Sequence, residues 1–177
     1  MRTFILLTIL FILLLPVCVN AEATTNMSIG LRGGTDVSEH NLNENYRATE
    51  LYFLKKLPWG TTLGKQTSIS SRFDIGTIYL DGGDDKNAML AVGVDLVFGL
   101  WDGCVELEIG FRPTWMFDHE YGDDDFGGGL QFTSHAGLAV NWQSMALSYR
   151  IQHTSNAGIY NKNPGLNLHM VGLGYRF

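Results

Sequence analysis

Residues 104–112 read CVELEIGFR, and their side chains alternate in character from one position to the next. The apolar face of this stretch consists of Val105, Leu107, Ile109 and Phe111. Successive side chains of a β-strand point to opposite faces, so a period of two with one apolar face predicts a half-buried strand. The stretch therefore indicates a sheet that has one apolar and one polar face.

The same alternation recurs along the chain. It is clear in GLQFTSHAGLAV, residues 129–140, and in VGLGYRF, residues 171–177, whereas in residues 47–57 two apolar sets compete for one side. Aromatic residues make up 12% of the chain and only four prolines occur, which also favours strands. The pattern predicts eight strands, at residues 26–35, 47–57, 67–80, 88–98, 103–117, 128–141, 143–155 and 166–177.

Long polar connections alternate with short turns between these strands. The long connections are 36–46, 81–87, 118–127 and 156–165, and the short ones lie around Trp59–Gly64, Gly99–Gly103 and Asn141–Gln143. Outer-membrane barrels have this arrangement, with long loops outside the cell and short turns in the periplasm. We therefore predict an all-β fold, an eight-stranded antiparallel transmembrane β-barrel of the outer-membrane type.

The polar face predicts the contents of the barrel. An eight-stranded barrel has an interior just wide enough for side chains to fill, so we expect a filled polar lumen and not a channel. The predicted lumen residues are Arg72, Asp74, Asp95, Glu106, Glu108, Arg112, Gln131, His135, Arg150, Gln152 and Arg176. The predicted aromatic girdle at the strand ends consists of Tyr46, Tyr79, Trp101, Trp115, Tyr121 and Trp142.

The first 21 residues have the pattern of an export signal. Arg2 precedes the apolar run FILLTILFILLL, and small residues allow cleavage after Ala21 or Ala23. Residues 22–177 then form a single barrel domain, which we expect in the bacterial outer membrane. The formal net charge of −6 makes nucleic acid an improbable partner, and no later apolar stretch has the length of a membrane helix.

Polar residues interrupt the apolar face in QHTSNAGIYNKNPGLN, residues 152–167. Alternation places His153, Ser155, Asn167 and His169 on the wall that faces lipid, at the ends nearest the last long connection. Unpaired polar groups that face hydrocarbon cost several kcal/mol, but the cost falls near the headgroups. Polar strand ends that emerge from a membrane are therefore one interpretation, and a catalytic site is the other.

The stretch closely resembles the signature of the outer-membrane lipid A 3-O-deacylases, the PagL-type group within the acyloxyacyl hydrolases. The similarity rests on the histidine, on the Ser-Asn-Ala-Gly run that follows, and on Asn163 and Gly165. FTSHAGLAV, residues 132–140, resembles the preceding strand of the family, and the chain ends in the aromatic Phe177 that is typical of such barrels.

The resemblance implies a serine esterase that removes an ester-linked acyl chain, 3-O by the family name, from the lipid A of lipopolysaccharide. Ser155 would be the nucleophile and His153 its base, with Asn167 in the position of the family glutamate. An asparagine can orient an imidazole but supplies no negative charge. Backbone N–H groups of Asn156, Ala157 and Gly158, or the Asn156 side chain, would hold the oxyanion. This chemistry requires no cofactor and no metal.

Two other functions fit the same scaffold. One is an outer-membrane phospholipase, because a glycerophospholipid ester lies at a similar depth. The other is a catalytically inactive structural or adhesive barrel that acts through its acidic loops, residues 81–85 and 118–128. Charge runs of this kind are usually solvated surface, and the sequence leaves a homodimer open.

Overall fold

The structure, a computed structural model, describes residues 26–37, 42–82 and 85–177. The predicted signal segment lies outside the described residues. Ten strands occur in the described part of the chain, at β1 (Met27–Asp36), β2 (Tyr46–Thr62), β3 (Thr67–Gly82), β4 (Asp85–Leu100), β5 (Val105–Met116), β6 (Glu120–Tyr121), β7 (Asp124–Asp125), β8 (Leu130–Trp142), β9 (Met145–Ser155) and β10 (Leu166–Arg176).

Eight of these strands close into one antiparallel barrel, and β6 and β7 form a separate short hairpin. The barrel closes where β1 pairs with β10, from Ser28 opposite Arg176 to Asp36 opposite Leu168. Closure leaves no exposed sheet edge, which is the condition for strands to cross a bilayer. This confirms the predicted eight-stranded barrel. Within the described ranges, no helix is long and apolar enough to span a membrane.

The observed connections differ from the prediction at two places. β3 and β4 stay paired up to Gly82 opposite Asp85, so the predicted long connection 81–87 was wrong. Polar residues there continue the ladder because charged side chains at a strand end can extend into water. The predicted connection 118–127, in contrast, contains the β6–β7 hairpin. In β2, the register shifts between Lys56 and Gly60, where Pro58 has no N–H to donate to the ladder.

Ion pairs fill the middle of the barrel and confirm the predicted polar lumen. Arg150 contacts Asp74 at 3.0 Å and Glu108 at 2.7 Å, and Arg72 contacts Asp95 at 2.8 Å. Buried charges are tolerated only when they are paired, and these pairs link strands across the interior. Further buried members of the interior are Arg32, Glu50, Arg112, Gln131, His135 and Gln152.

The end of the lumen nearest the long connections is apolar. The alternation of apolar and polar side chains in the sequence did not predict this. Its buried cluster, here called the outer plug, consists of Tyr46, Ala48, Ile78, Leu80, Met89, Ala91, Met116, Tyr121, Phe126, Leu166, Leu168 and Met170. Tyr46 and Tyr121 are almost fully buried in it. Their assignment to the aromatic girdle was therefore wrong, because both rings point inward and close the barrel.

The outer wall of the barrel is apolar. Exposed large side chains cover it on every barrel strand, as the alternation predicted, and the exposed girdle residues are Tyr79, Trp101, Trp115 and Trp142. Contiguous exposed apolar surface of this extent is rare on proteins surrounded by water. The wall therefore contacts lipid.

Candidate active site

The candidate site lies on the outer wall, where β9 ends and β10 begins. His153 is directly opposite Asn167 in the antiparallel register of the two strands. His153 is exposed, whereas Ser155 and Asn167 are half-buried. Side chains on both sides of these positions, Gln152 and Leu168, point inward and are buried. The alternation that fixes the apolar wall thus also directs the histidine and the serine toward lipid, as the sequence predicted.

A hydrogen bond joins the imidazole to Asn167. His153 Nδ1 lies 2.8 Å from Asn167 Oδ1. Because an amide oxygen only accepts, Nδ1 carries the proton and donates it. The other ring nitrogen, Nε2, is then the acceptor. This is the tautomer that a general base needs in order to take a proton from a hydroxyl.

Ser155 is on the same face as His153, two residues further along β9. Two residues of a strand span about 7 Å. Within the described part of the chain, no hydrogen bond joins the Ser155 hydroxyl to His153. The structure therefore brings together His153 and Asn167, and it leaves the serine nearby but not in contact. Hydrogen bonds of catalytic groups are often long without substrate and shorten when substrate binds.

A tight turn follows the serine. The N–H of Ile159 donates to the carbonyl of Asn156 at 3.1 Å, and the two central residues have positive φ, 54° at Ala157 and 78° at Gly158. Positive φ at both central positions defines a type I′ turn. Glycine accepts this geometry without steric cost, and alanine pays a modest one. The small side chains after Ser155 therefore match a turn that reverses the chain sharply beside it.

The Asn156 side chain holds the turn in place. It is fully buried, and its Nδ2 donates to the carbonyls of Phe126, at 2.9 Å, and Lys162, at 2.6 Å. Its Oδ1 accepts from the N–H of Gly158 at 2.9 Å. These bonds use the side-chain amide inside the loop, so the geometry favours a supporting role for it.

The backbone amides of the turn are not equally occupied. Asn156 N–H donates to Asn163 Oδ1 at 3.0 Å, and Gly158 N–H donates to the Asn156 side chain. Among the described residues, the N–H of Ala157 has no hydrogen-bond acceptor. Of the three amides that the sequence suggested, Ala157 is thus the one still able to bind a developing negative charge.

Gly165 fits closely over the imidazole. It has a φ of 74°, and a Cβ at this position would lie 3.1 Å from His153 Cε1 and 3.9 Å from each ring nitrogen. Only glycine combines this backbone conformation with this close approach. Gly165 therefore packs against the His153 ring.

His169 lies outside the His153–Asn167 pair. Its Nδ1 is 2.5 Å from the hydroxyl of Tyr149, and the two rings meet edge to face at 5.8 Å. It therefore does not replace the missing carboxylate beside His153.

A shallow groove runs across the wall at the site. Its outward-pointing lining consists of Val37, Ser134, Ala136, Ile151, His153, Asn167 and His169. The sequence analysis did not single out Ser134. Ser134 is a polar residue on the otherwise apolar face of β8, and this break in the alternation could have identified it.

The acidic loop, residues 118–128, contacts the loop that follows β9. Lys162, in the loop that contains the turn, pairs with Asp125 at 2.9 Å, and His119 is 3.0 Å from the same carboxylate. The hydrogen bond from Lys162, together with one from the Gly127 N–H, lowers the pKa of Asp125 to about 2. The hairpin loop is thereby fastened to the loop that carries the candidate site.

Asp124 has a structural role in the same loop. Its buried carboxylate accepts from the N–H groups of Asn43 and Glu44 and from the hydroxyl of Tyr46, at 2.9 to 3.0 Å. The carboxylate therefore ties the acidic loop to the segment that precedes β2. The acidic loop 118–128 is therefore not merely a solvated charge run.

Ligand-type atoms cluster at two places among the described residues, at Asp74, Asp95 and His135 in the lumen and at His119, Glu120 and Asp125 in the loop. Arginines already pair with the lumen carboxylates, and Lys162 pairs with Asp125. Both clusters lie apart from the His153–Asn167 pair, and neither adds a metal to the candidate site.

Known proteins resemble this chain to different degrees. Lipid A deacylase PagL of Bordetella bronchiseptica is 24% identical over 165 residues, which cover 90% of this chain and 89% of that protein. The crystal structure of the outer membrane enzyme PagL superposes with a TM-score of 0.74 at 17% identity, covering 85% of this chain and 99% of the other. The outer membrane protein Ail of Yersinia pestis gives a TM-score of 0.47 at 15% identity, covering 86% of this chain and 99% of the other.

A family model described as lipid A 3-O-deacylase (PagL) matches residues 29–176, which is nearly the whole described barrel. The resemblance read from residues 152–167 is thereby confirmed. The chain belongs to the PagL family of lipid A 3-O-deacylases, and it is an outer-membrane β-barrel with the lipid A deacylase function of that family.

Proposed function

We propose that this protein is a serine esterase that removes the 3-O-linked acyl chain from lipid A with Ser155 as nucleophile and His153 as base. The observation that carries the proposal is the 2.8 Å hydrogen bond from His153 to Asn167 on the lipid-facing wall. Such a bond fixes the tautomer that a base needs, on a surface where a polar pair is otherwise unfavourable.

The reaction is acyl transfer to water in two steps. His153 Nε2 takes the proton of Ser155 while the serine oxygen attacks the ester carbonyl. The bond from the carbonyl carbon to the sugar oxygen breaks, and the imidazolium returns the proton to that oxygen. Water then attacks the acyl-serine with the same base, and the fatty acid leaves.

Asn167 and the turn after Ser155 assist these steps. Asn167 orients the imidazole through its amide oxygen, in the place of the carboxylate that the family resemblance implies. We assign the oxyanion contact to the N–H of Ala157, and a supporting role to Asn156 and Gly158. One well-placed donor of this kind lowers the barrier by roughly 2.7–4 kcal/mol.

The position of the site selects a lipid substrate. The groove is on the outer wall at the end of the barrel near the long connections, so it opens to the outer leaflet and not to the lumen. Lipid A reaches such a groove by lateral diffusion, with its ester near the headgroup and its chains along the apolar wall. The homodimer that the sequence left open stays a prediction, which the mass of the detergent-solubilised protein would test.

Fatty-acid release from defined lipid A, followed by mass spectrometry, tests the assignment. Ser155→Ala and His153→Ala should each lower the rate by at least about 10³-fold, with unchanged heat-modifiable mobility on gels. Thr77→Ala, which removes an exposed hydroxyl from the same wall on β3, is the matched control and should stay active.

Substantial activity in either site variant would remove that residue from the mechanism. The same assay with a glycerophospholipid decides between a lipid A deacylase and the alternative phospholipase, and no release from either lipid would favour the inactive barrel.

A further inference from the structure

A second outward hydroxyl lies beside the base. Ser134 on β8 is directly opposite His153, and Asn167 on β10 is opposite the same histidine on the other side. Directly opposite residues in antiparallel strands have Cβ atoms about 4.5–5.5 Å apart. The imidazole therefore lies between the Asn167 amide, which orients it, and the Ser134 hydroxyl, which has no role in the proposed mechanism.

On the sides away from His153, the surroundings of Ser134 are apolar. Phe111 is opposite it on β5, and Phe111 stacks on Phe132 with 5.8 Å between ring centres. Further toward the membrane centre, Ala136 lies opposite Ile151. Ser134 is exposed, and within the described part of the chain its hydroxyl makes no hydrogen bond. A hydroxyl with no partner in an apolar, lipid-facing groove is suited to a polar group of the lipid itself.

The height of Ser134 limits which polar groups of the lipid it can reach. It lies level with His153, and thus two residues, or about 7 Å, closer to the membrane centre than Ser155. When Ser155 attacks the ester carbonyl, the acyl chain continues over Ala136 and Ile151 toward the membrane centre. A hydroxyl on the third carbon of that chain, plus a hydrogen bond of about 2.8 Å, spans this distance.

We propose that Ser134 is a specificity residue that hydrogen-bonds to the 3-hydroxyl of the acyl chain being released. This inference rests on the proposed function. The preferred substrates are then esters of 3-hydroxy fatty acids, and an unsubstituted chain of the same length leaves the Ser134 hydroxyl without a partner.

The test compares two synthetic lipid A-type esters that differ only in the 3-hydroxyl of the 3-O-linked chain. Wild type should hydrolyse the 3-hydroxyacyl ester with a kcat/KM roughly five- to tenfold higher than the plain ester. In Ser134→Ala this ratio should fall to near one, and Ser134→Thr, which keeps a hydroxyl, should retain a preference. Thr77→Ala is the matched control and should keep the wild-type ratio.

Four results would overturn the inference. Equal rates of wild type on both esters, or a preference that survives in Ser134→Ala, would exclude the contact while leaving the esterase mechanism intact. Loss of hydrolysis of both esters in a folded Ser134→Ala would show that Ser134 is needed for the reaction itself and not for the choice of acyl chain. Wild type that hydrolyses neither ester would overturn the proposed function together with this inference.

Discussion

Asn167 is the residue at which this chain departs from the catalytic pattern that its family resemblance implies. It keeps the hydrogen bond to His153 at 2.8 Å but carries no charge. A neutral acceptor fixes the direction of the ring, whereas a carboxylate also stabilises the imidazolium that forms during the reaction. In the proposed mechanism, Asn167 therefore orients the imidazole but does not stabilise its charge.

Substitutions of Asn167 should separate these two halves. Asn167→Ala removes the acceptor and should lower kcat at least about tenfold with little change in KM. Asn167→Glu adds charge to the contact and should raise kcat by roughly fivefold, because hydrogen bonds to charged groups are stronger by about 1 kcal/mol. Steady-state kinetics on lipid A measures both, and an unchanged rate in Asn167→Ala would show that another group orients the base.

Gly165 should be sensitive to a single methyl group. Gly165→Ala places a Cβ 3.1 Å from His153 Cε1 at a φ of 74°, so the imidazole must move and kcat should fall. Gly64→Ala is the matched control, since Gly64 has a φ of 89° and open space around its missing Cβ. Both variants pay the backbone cost of about 1–2 kcal/mol, and only the first should lose activity. Equal activities of the two variants would contradict the packing of Gly165 on the base.

The loop that contains the β6–β7 hairpin contacts the loop of the β9–β10 hairpin. The β9–β10 hairpin carries His153 and Ser155. In the loop around β6 and β7, the carbonyl of Phe126 accepts a hydrogen bond from the side-chain amide of Asn156. Asp124 links that loop in turn to the residues that precede β2. The turn that follows Ser155 is thus held by contacts from another part of the chain.

Removal of the Asp124 carboxylate should loosen this assembly. Asp124→Ala leaves the part-buried N–H groups of Asn43 and Glu44 and the buried Tyr46 hydroxyl without their acceptor. A buried donor without an acceptor costs roughly 1–3 kcal/mol. Limited proteolysis should then cut the loop faster, and lipid A deacylation should slow. Asp123→Ala is the control because its neighbouring side chain is exposed. Equal cleavage of the two variants would argue against the structural role of Asp124.

The Asp125–Lys162 pair predicts a pH dependence for the loops. The pKa of Asp125 is lowered to about 2, so its contribution is fully present above the ordinary carboxyl range near 4 and is lost as the pH falls through about 2. Lys162 has a raised pKa, so the pair also persists at alkaline pH beyond the usual lysine range. The carboxyl ¹³C shift of Asp125, followed by NMR, should titrate near pH 2, and a midpoint near 4 would show that the pair is absent in solution.

The whole barrel combines three layers, an apolar wall, an ionic lumen and the outer plug. The wall holds the molecule in lipid, and the ion pairs join strands that are far apart in sequence, such as β3 and β9 through Asp74 and Arg150. The outer plug lies behind the strands that carry the site, since Leu166, Leu168 and Met170 of β10 all belong to it. The part of the wall that carries the candidate site is therefore backed by a packed interior.

Breaking the lumen network should destabilise the barrel. Arg150→Met removes the cation closest to the buried Asp74 carboxylate and one of the two arginines that contact Glu108, and breaking a buried pair typically costs 3–5 kcal/mol. Urea unfolding in detergent micelles should show a lower midpoint. Arg47→Met changes an exposed arginine on β2 and should stay within about 0.5 kcal/mol of wild type. An unchanged midpoint in Arg150→Met would mean that water or the other arginines satisfy those carboxylates.

The alternation of side chains predicted most of the fold and the direction of the site residues. Val105 to Phe111 point outward, Glu108 and Arg112 point inward, and His153, Ser155 and Asn167 face lipid, because a strand has only two faces and lipid and lumen differ in polarity. The lumen residues followed from the same rule, and the catalytic roles came from the resemblance of residues 152–167 to a known family.

Contacts between distant segments could not be read from the sequence. The outer plug, and with it the burial of Tyr46 and Tyr121, depends on where the loop residues fold back over the barrel. The use of Asn156 within the loop, the link from Asp125 to Lys162 and the place of Ser134 opposite His153 depend on strand register and loop packing. The sequence by itself determined which side of each strand meets lipid, because that choice is local and repeats every two residues. Only the tertiary structure decided which side chains meet across strands and loops, because those contacts join residues far apart in the chain.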